Sequence, residues 1–143
     1  MSYRFLDNVA TADVAFEARG ATLHELFLSA WEAALRTMIE NPESINAKCT
    51  RHISIAENRL DFLLHDFLQK LLFFKDANYE LHRVKKIHLT NEQDGYKIRA
   101  QLVGEPIDSM RHRMRVDVKA VTFHRLAVVE CTSGWRATVV LDV

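Results

Sequence analysis

The sequence predicts an α+β fold, two helices packed on a mainly antiparallel sheet, and three observations carry that reading. Two segments in the first half repeat their apolar residues at intervals of three and four, the period of a helix with one buried face. From about residue 79 onward the apolar period becomes two, the period of strands. Turn residues then divide that half into short alternating runs, as hairpin-connected strands require.

Residues 3–6 can open a strand, and residues 11–18 form a clearer one. Ala12, Val14, Phe16 and Ala18 are expected on its core face, with Thr11, Asp13, Ala15 and Glu17 on the other. Asp13 is thus an acid inside a strand, where acids are disfavoured. Gly20 breaks the strand, and Thr22 with Glu25 makes a capping box that starts a helix over residues 22–39. Its stripe is Leu23, Leu26, Phe27, Ala30, Ala34, Leu35 and Met38, and Asn41-Pro42 ends it. A strand over residues 50–56 points Ile53 and Ile55 inward.

Asn58 can cap a second helix over residues 59–74, with Leu60, Leu63, Leu64, Phe67, Leu68, Leu71 and Leu72 as its stripe. Phe62 and Phe73 lie off that stripe; reaching a second part of the core is favoured over forming a partner surface. Asp94-Gly95 reads as a hairpin turn between residues 87–89 and 96–102, within a slightly longer loop. Gly104-Glu105-Pro106 interrupts the next connection, and Met114, Val116, Val118, Ala120 and Thr122 then alternate as a strand. Ser133-Gly134 turns the chain into a closing strand over residues 135–143. There Trp135, Ala137, Val139 and Leu141 face one way and Arg136, Thr138, Val140 and Asp142 the other. No repeat, linker or low-complexity stretch divides the chain, so a single domain over residues 1–143 is expected.

The composition, 48% hydrophobic and 27% charged, is that of an ordinary globular protein. Lys plus Arg equals Asp plus Glu at 19 each, and this zero balance argues against a protein that holds nucleic acid mainly through its own phosphate contacts. Scattered aromatics supply no stacking platform either. No apolar run approaches the roughly 18 residues of a membrane span, and the first residues lack an apolar signal core. Cys49 and Cys131 fit no zinc or redox spacing and read as reduced, mostly buried thiols, which places the chain in the cytoplasm.

Among candidate chemistries, His52, His65, His112 and His124 lack a His or Cys partner at ligand spacing, which makes a zinc site a weak reading. No phosphate-binding glycine loop or nucleophile elbow is present. Arg111, Arg113 and Arg115 around His112, continued by Lys119, form either a solvated basic face or a patch for phosphate or an acidic partner. The remaining constellation is Asp13, Asp142 and the terminal carboxylate of Val143. If the first and last strands are neighbours, these oxygens gather around one point and repel unless a hard cation such as Ca²⁺ or Mg²⁺ occupies it.

Several stretches together resemble the archease family: Thr11-Ala12-Asp13-Val14, Gly20 and the capped helix, Gly104-Glu105, Asp108 and Arg111-His112. The run Val118-Lys119-Ala120-Val121-Thr122-Phe123-His124, Trp135 and the ending Leu141-Asp142-Val143 extend the resemblance over essentially the whole chain. One departure is Ala10, where the family usually has a His before Thr-Ala-Asp. The resemblance implies a cytosolic accessory protein, not itself an enzyme, that activates the RtcB-type tRNA-splicing RNA ligase. The ligase is guanylylated from GTP with divalent metal, and the accessory protein promotes that step and turnover in tRNA splicing or RNA repair. The family's metal positions correspond to Asp13, Asp142 and Val143, holding Ca²⁺ with Mg²⁺ or Mn²⁺ as alternatives. Neither strong direct nucleic-acid binding nor a membrane partner is implied. The competing reading is a free-standing metal-dependent phosphoester hydrolase, against which stand the lack of an obvious base beside the acids and of a second metal cluster.

Overall fold

The computed structural model describes residues 1–7 and 12–143. Two antiparallel sheets and two helices make an α+β architecture. The strands are β1 (Ser2–Leu6), β2 (Asp13–Gly20), β3 (Cys49–Glu57), β4 (Glu80–Glu92), β5 (Gly95–Pro106), β6 (Ala120–Val121), β7 (Ala127–Cys131) and β8 (Gly134–Asp142), with helices α1 (Leu23–Met38) and α2 (Leu60–Asn78). Ala10 and Thr11 lie outside the described residues.

The first sheet is built around β8. It pairs with β2 from Trp135 to Asp142, the whole of β2, and its other edge is shared by β7 and β6. The second sheet has the order β3-β5-β4. The expected core faces hold in part: Phe16 and Ala18 on β2, and Ala137, Val139 and Leu141 on β8, are buried, whereas Val14 and Trp135 are half-buried and Ala12, before β2, is exposed. Ala15 and its β8 partner Val140, both expected on the opposite face, are buried as well, and so is most of Glu17, held between Arg4 and Arg19.

α1 starts as the capping box predicts. Thr22 Oγ1 accepts from the Glu25 amide at 3.1 Å, while Glu25 reaches back to the Ala21 amide at 2.8 Å. α2 starts differently: Arg59 is its N-cap and makes no side-chain cap bond, so Asn58 does not serve. Nor does α2 end at residue 74. It runs to Asn78 and stops where Tyr79 turns left-handed at φ 55°, its amide returning to the Lys75 carbonyl.

The α2 stripe meets α1 at the centre of the core. Phe67 packs against Phe27 and Trp31 at ring separations of 5.7 and 4.9 Å. Trp31 Nε1 donates to the His82 carbonyl at 3.0 Å, tying α1 to β4. The two off-stripe aromatics do not reach a second core. Phe73 is 55% exposed and lies under Lys70, while Phe62 packs edge-on against exposed Phe123 with the Arg59 guanidinium 4.4 Å from its ring.

The hairpin between β4 and β5 closes tightly at Gly95, whose φ of 134° suits a residue without a side chain. Residues 104–106, expected in a connection, instead complete β5: Gly104 pairs with both Cys49 and His82. A Cβ on Gly104 would lie 1.9 Å from the Leu81 carbonyl oxygen, so glycine is what permits this close approach. The run from Met114 to Lys119 also departs from expectation. It is extended but makes only a single bridge, Ile39 to Met114, as it passes the end of α1. Two of its amides go to that helix end, Arg115 to the Met38 carbonyl at 2.7 Å and Val116 to that of Thr37 at 3.4 Å.

Candidate functional site

The register of the first sheet decides where the acids go. On β2 and β8, Asp13 is directly opposite Asp142, and on the other side of β8 Ala120 is opposite Asp142. Directly opposed residues share a face, with Cβ atoms roughly 4.5–5.5 Å apart. Main-chain bonds fix this end of the sheet: the Lys119 amide donates to the Asp142 carbonyl at 2.8 Å and the Val143 amide to the Ala12 carbonyl at 3.0 Å. Asp13, Asp142 and Val143 are all half-buried. Neither carboxylate has a hydrogen-bond or ion-pair partner among the described residues. Like charges placed opposite each other destabilise a strand pair, and two unpartnered carboxylates beside a main-chain oxygen are the hard donor set that suits Ca²⁺ or Mg²⁺.

Beside Asp13 lies a cavity of about 320 Å³ walled by Phe5, Val14, Arg36 and Arg115, among others. Arg36 and Arg115 thus share this cavity's wall with Asp13, Arg36 being already paired with Glu32 at 2.9 Å. Lys119, whose amide holds the Asp142 backbone, leaves its side chain exposed at the same end.

The basic cluster read from residues 111–119 does not form one face. Arg111 and His112 turn inward to Glu105, which is only 1% exposed. The Asp108 amide donates to His112 Nδ1 at 2.9 Å, so the ring proton is on Nε2 and is donated to Glu105 at 3.0 Å. The Arg111 guanidinium also donates to Glu105 and to the Ser44 carbonyl, and the Asn46 amide donates to the second carboxylate oxygen at 2.6 Å. Burial alone would raise the Glu105 carboxyl; Arg111, the Asn46 amide and His112 overcome it and hold the group down to about 2. His112, 2% exposed, is thus a structural hub and cannot dock a partner through its ring. Arg113 reaches only Glu40, at 3.8 Å, and Arg115 lines the cavity beside Asp13.

A second anchor is Lys75, buried at 5% exposure on α2. Its ammonium donates to the Val118 carbonyl at 2.8 Å and pairs with Asp117 and Asp76. Burial works to lower its pKa, but those two carboxylates win and raise it. Glu105 and Lys75 thus hold the two ends of the segment that delivers β6 to Asp142.

Sequence reading missed one cluster. Cys49, Glu80 and His82 come together because β3 and β4 both flank Gly104. No spacing along the chain announces it. Arg51 forks both Glu80 oxygens at 3.0–3.2 Å, and His82 Nδ1 is buried without a partner among the described residues. Burial, then the Glu80 charge, raises the Cys49 thiol, and burial lowers His82, so both are held neutral. A metal-ligating imidazole needs a partner for its second nitrogen, and this one has none.

A family model described as the Archease protein family matches residues 3–143. The chain belongs to the archease family. Among curated archeases, that of Methanosarcina barkeri is 32% identical over 99% of this chain and 95% of its own, and that of Pyrococcus abyssi 31% identical over 93% and 94%. A solution structure of a Methanobacterium thermoautotrophicum protein superposes with a TM-score of 0.84 at 31% identity, covering 99% of this chain and 98% of the other. The fold also matches a Thermotoga maritima crystal structure described as an archease, possible chaperone, with a TM-score of 0.61 at 14% identity and 98% coverage of each chain. Archease membership agrees with the resemblance read from the Lys119–His124 run and the acidic ending. No helix among the described residues is long and apolar enough to cross a membrane.

Proposed function

We propose that this archease is a cytoplasmic accessory activator of an RtcB-type tRNA-splicing RNA ligase, promoting its guanylylation and turnover in tRNA splicing or RNA repair. The observation that carries the reading is the register that sets Asp13 against Asp142 at one end of a sheet, in a chain of this family. A relative described as a possible chaperone supports a role exercised on another protein.

Asp13, Asp142 and a main-chain oxygen of Val143 would hold the divalent cation, Ca²⁺ first and Mg²⁺ or Mn²⁺ as alternatives. When bound, that ion supplies positive charge beside anionic oxygens. The protein's own residues do the rest. Arg115 lines the adjoining cavity and offers donors for a partner's carboxylate or phosphate, beside Arg36, whose guanidinium is paired with Glu32. The Lys119 side chain is free to meet the same partner. The Glu105 and Lys75 anchors keep the segment between them from drifting away from β8.

The test follows the covalent ligase–GMP adduct over time, in mixtures of ligase, labelled GTP and metal, with and without this protein. Faster adduct formation in its presence supports the reading. Equal rates across several metals overturn it, and release of phosphate from phosphoesters by the protein alone would favour a hydrolase.

A further inference from the structure

The outer face of the second sheet carries a groove of about 700 Å³ whose charged lining is wholly basic or imidazole: His24, His52, Lys85, Lys86, His88 and Arg99. The register arranges these groups in two rows across three strands. His52 opposes Gln101, which opposes Lys86; two residues along, Ser54 opposes Arg99, which opposes His88. Every one of the six charged or imidazole groups is exposed. A bulge between Val84 and Lys86 adds Lys85 to the edge, and Lys97 continues the face one row further.

These cations are unspent. Lys85, Lys86 and Arg99 make no ion pair among the described residues, whereas Arg51 on the same strand as His52 is fully engaged with Glu80. Unpaired like charges held side by side on a sheet repel, a cost that an anionic ligand removes. The rows are about 6.8 Å apart along the strands and their members about 4.8 Å apart across them. Such spacing suits a succession of phosphates better than one compact anion. Ile53 and Ile87 alternate with these cations along their strands and face the core, so the groove's floor is rigidly held from beneath.

We propose that this groove binds the backbone of single-stranded RNA through Lys85, Lys86 and Arg99. The zero net charge does not oppose it, because that balance is global and the residues lining the groove include no acid; the nearest acid on the same face of β4 is Glu92, two rows beyond His88. The proposal does not rest on the ligase reading, since it concerns the protein alone.

The test is a ¹⁵N amide-shift titration of the whole protein with a short oligouridylate at two salt concentrations, repeated with GTP and with an oligoglutamate peptide. The expected result is saturable shifts confined to β3, β4 and β5 around residues 52–54, 85–88 and 99–101, with RNA the tightest ligand. Three phosphate contacts give a slope of log K against log salt of about −2. Lys86→Glu with Arg99→Glu should weaken binding by at least about tenfold while leaving shifts remote from the groove unchanged. Should the double variant fail to fold, Lys86→Gln alone still reduces the slope, by about 0.7. Shifts located elsewhere, no shifts at saturating RNA, or equal response to GTP or oligoglutamate would overturn the proposal.

Discussion

Replacing Glu105 by Gln removes the one buried charge that three donors converge on, and the structure sets the size of the effect. The carboxyl falls from its ordinary 4.5 to about 2, and at about 1.4 kcal/mol per pH unit this is about 3 kcal/mol in favour of the folded, ionised form. The sign follows from the direction. A depressed carboxyl contributes its full stability above the unfolded value near 4.5 and loses it as pH falls through about 2. Gln keeps the shape and cannot titrate. Urea unfolding of parent and Glu105→Gln should therefore differ by about 3 kcal/mol at pH 7 and at pH 5. The gap should narrow steadily below pH 4.5. A difference below about 1 kcal/mol, the level of a neutral hydrogen bond, would refute the charge-hub account. A gap that stays constant down to pH 3 would equally refute it, because the effect would then be one of packing.

Other predictions follow from the same geometry. Leu64→Ala or Leu68→Ala should lower stability by about 2–5 kcal/mol, since both side chains are fully buried on α2; a near-zero loss in urea unfolding would contradict their core placement. Asn58→Ala should change stability by less than about 0.5 kcal/mol, and Thr22→Ala by about 1, because only Thr22 caps its helix; the reverse order would contradict the assigned caps. Lys75→Met should cost about 1–3 kcal/mol by leaving the Val118 carbonyl without its donor, and amide exchange should rise at residues 117–121. Asp13→Ala should abolish calcium binding in calorimetry without lowering the metal-free melting temperature, because it relieves the repulsion with Asp142; retained affinity would remove Asp13 from the site.

How much was legible depended on whether the signal was local. The helix stripes, the Thr22 capping box and the β4–β5 hairpin are written in neighbouring residues, and the structure has them. The faces of β2 and β8 were legible for the same reason, although the burial of Ala15 was not, because it depends on what covers the far side. Residues 113–119 show where pattern fails. Met114, Val116 and Val118 alternate because an extended segment crosses the end of α1, where the Arg115 and Val116 amides are taken by the Met38 and Thr37 carbonyls, before the segment reaches β8 at Lys119. The basic residues there looked like a surface. Arg111 and His112 instead serve a carboxylate that the sequence had placed in a connection. Phe73 was read into a core it does not reach, since periodicity marks a side chain as off-stripe without saying what covers it. Of the candidate site, Asp13 and Asp142 were legible as acids in strands, while their opposition is a fact of register that needed the sheet. The Cys49, Glu80 and His82 cluster and the basic groove depend on three strands meeting, and no spacing encodes either.

The most direct test of the central claim compares initial rates of ligase–GMP adduct formation with the parent protein and with Asp142→Asn. Asparagine keeps the shape and the β8 pairing but removes one of the two opposed charges. The account predicts that the parent accelerates adduct formation and that Asp142→Asn, folded and equally stable, does not. Equal acceleration by both would contradict it, because the acid pair would then have no part in the activity.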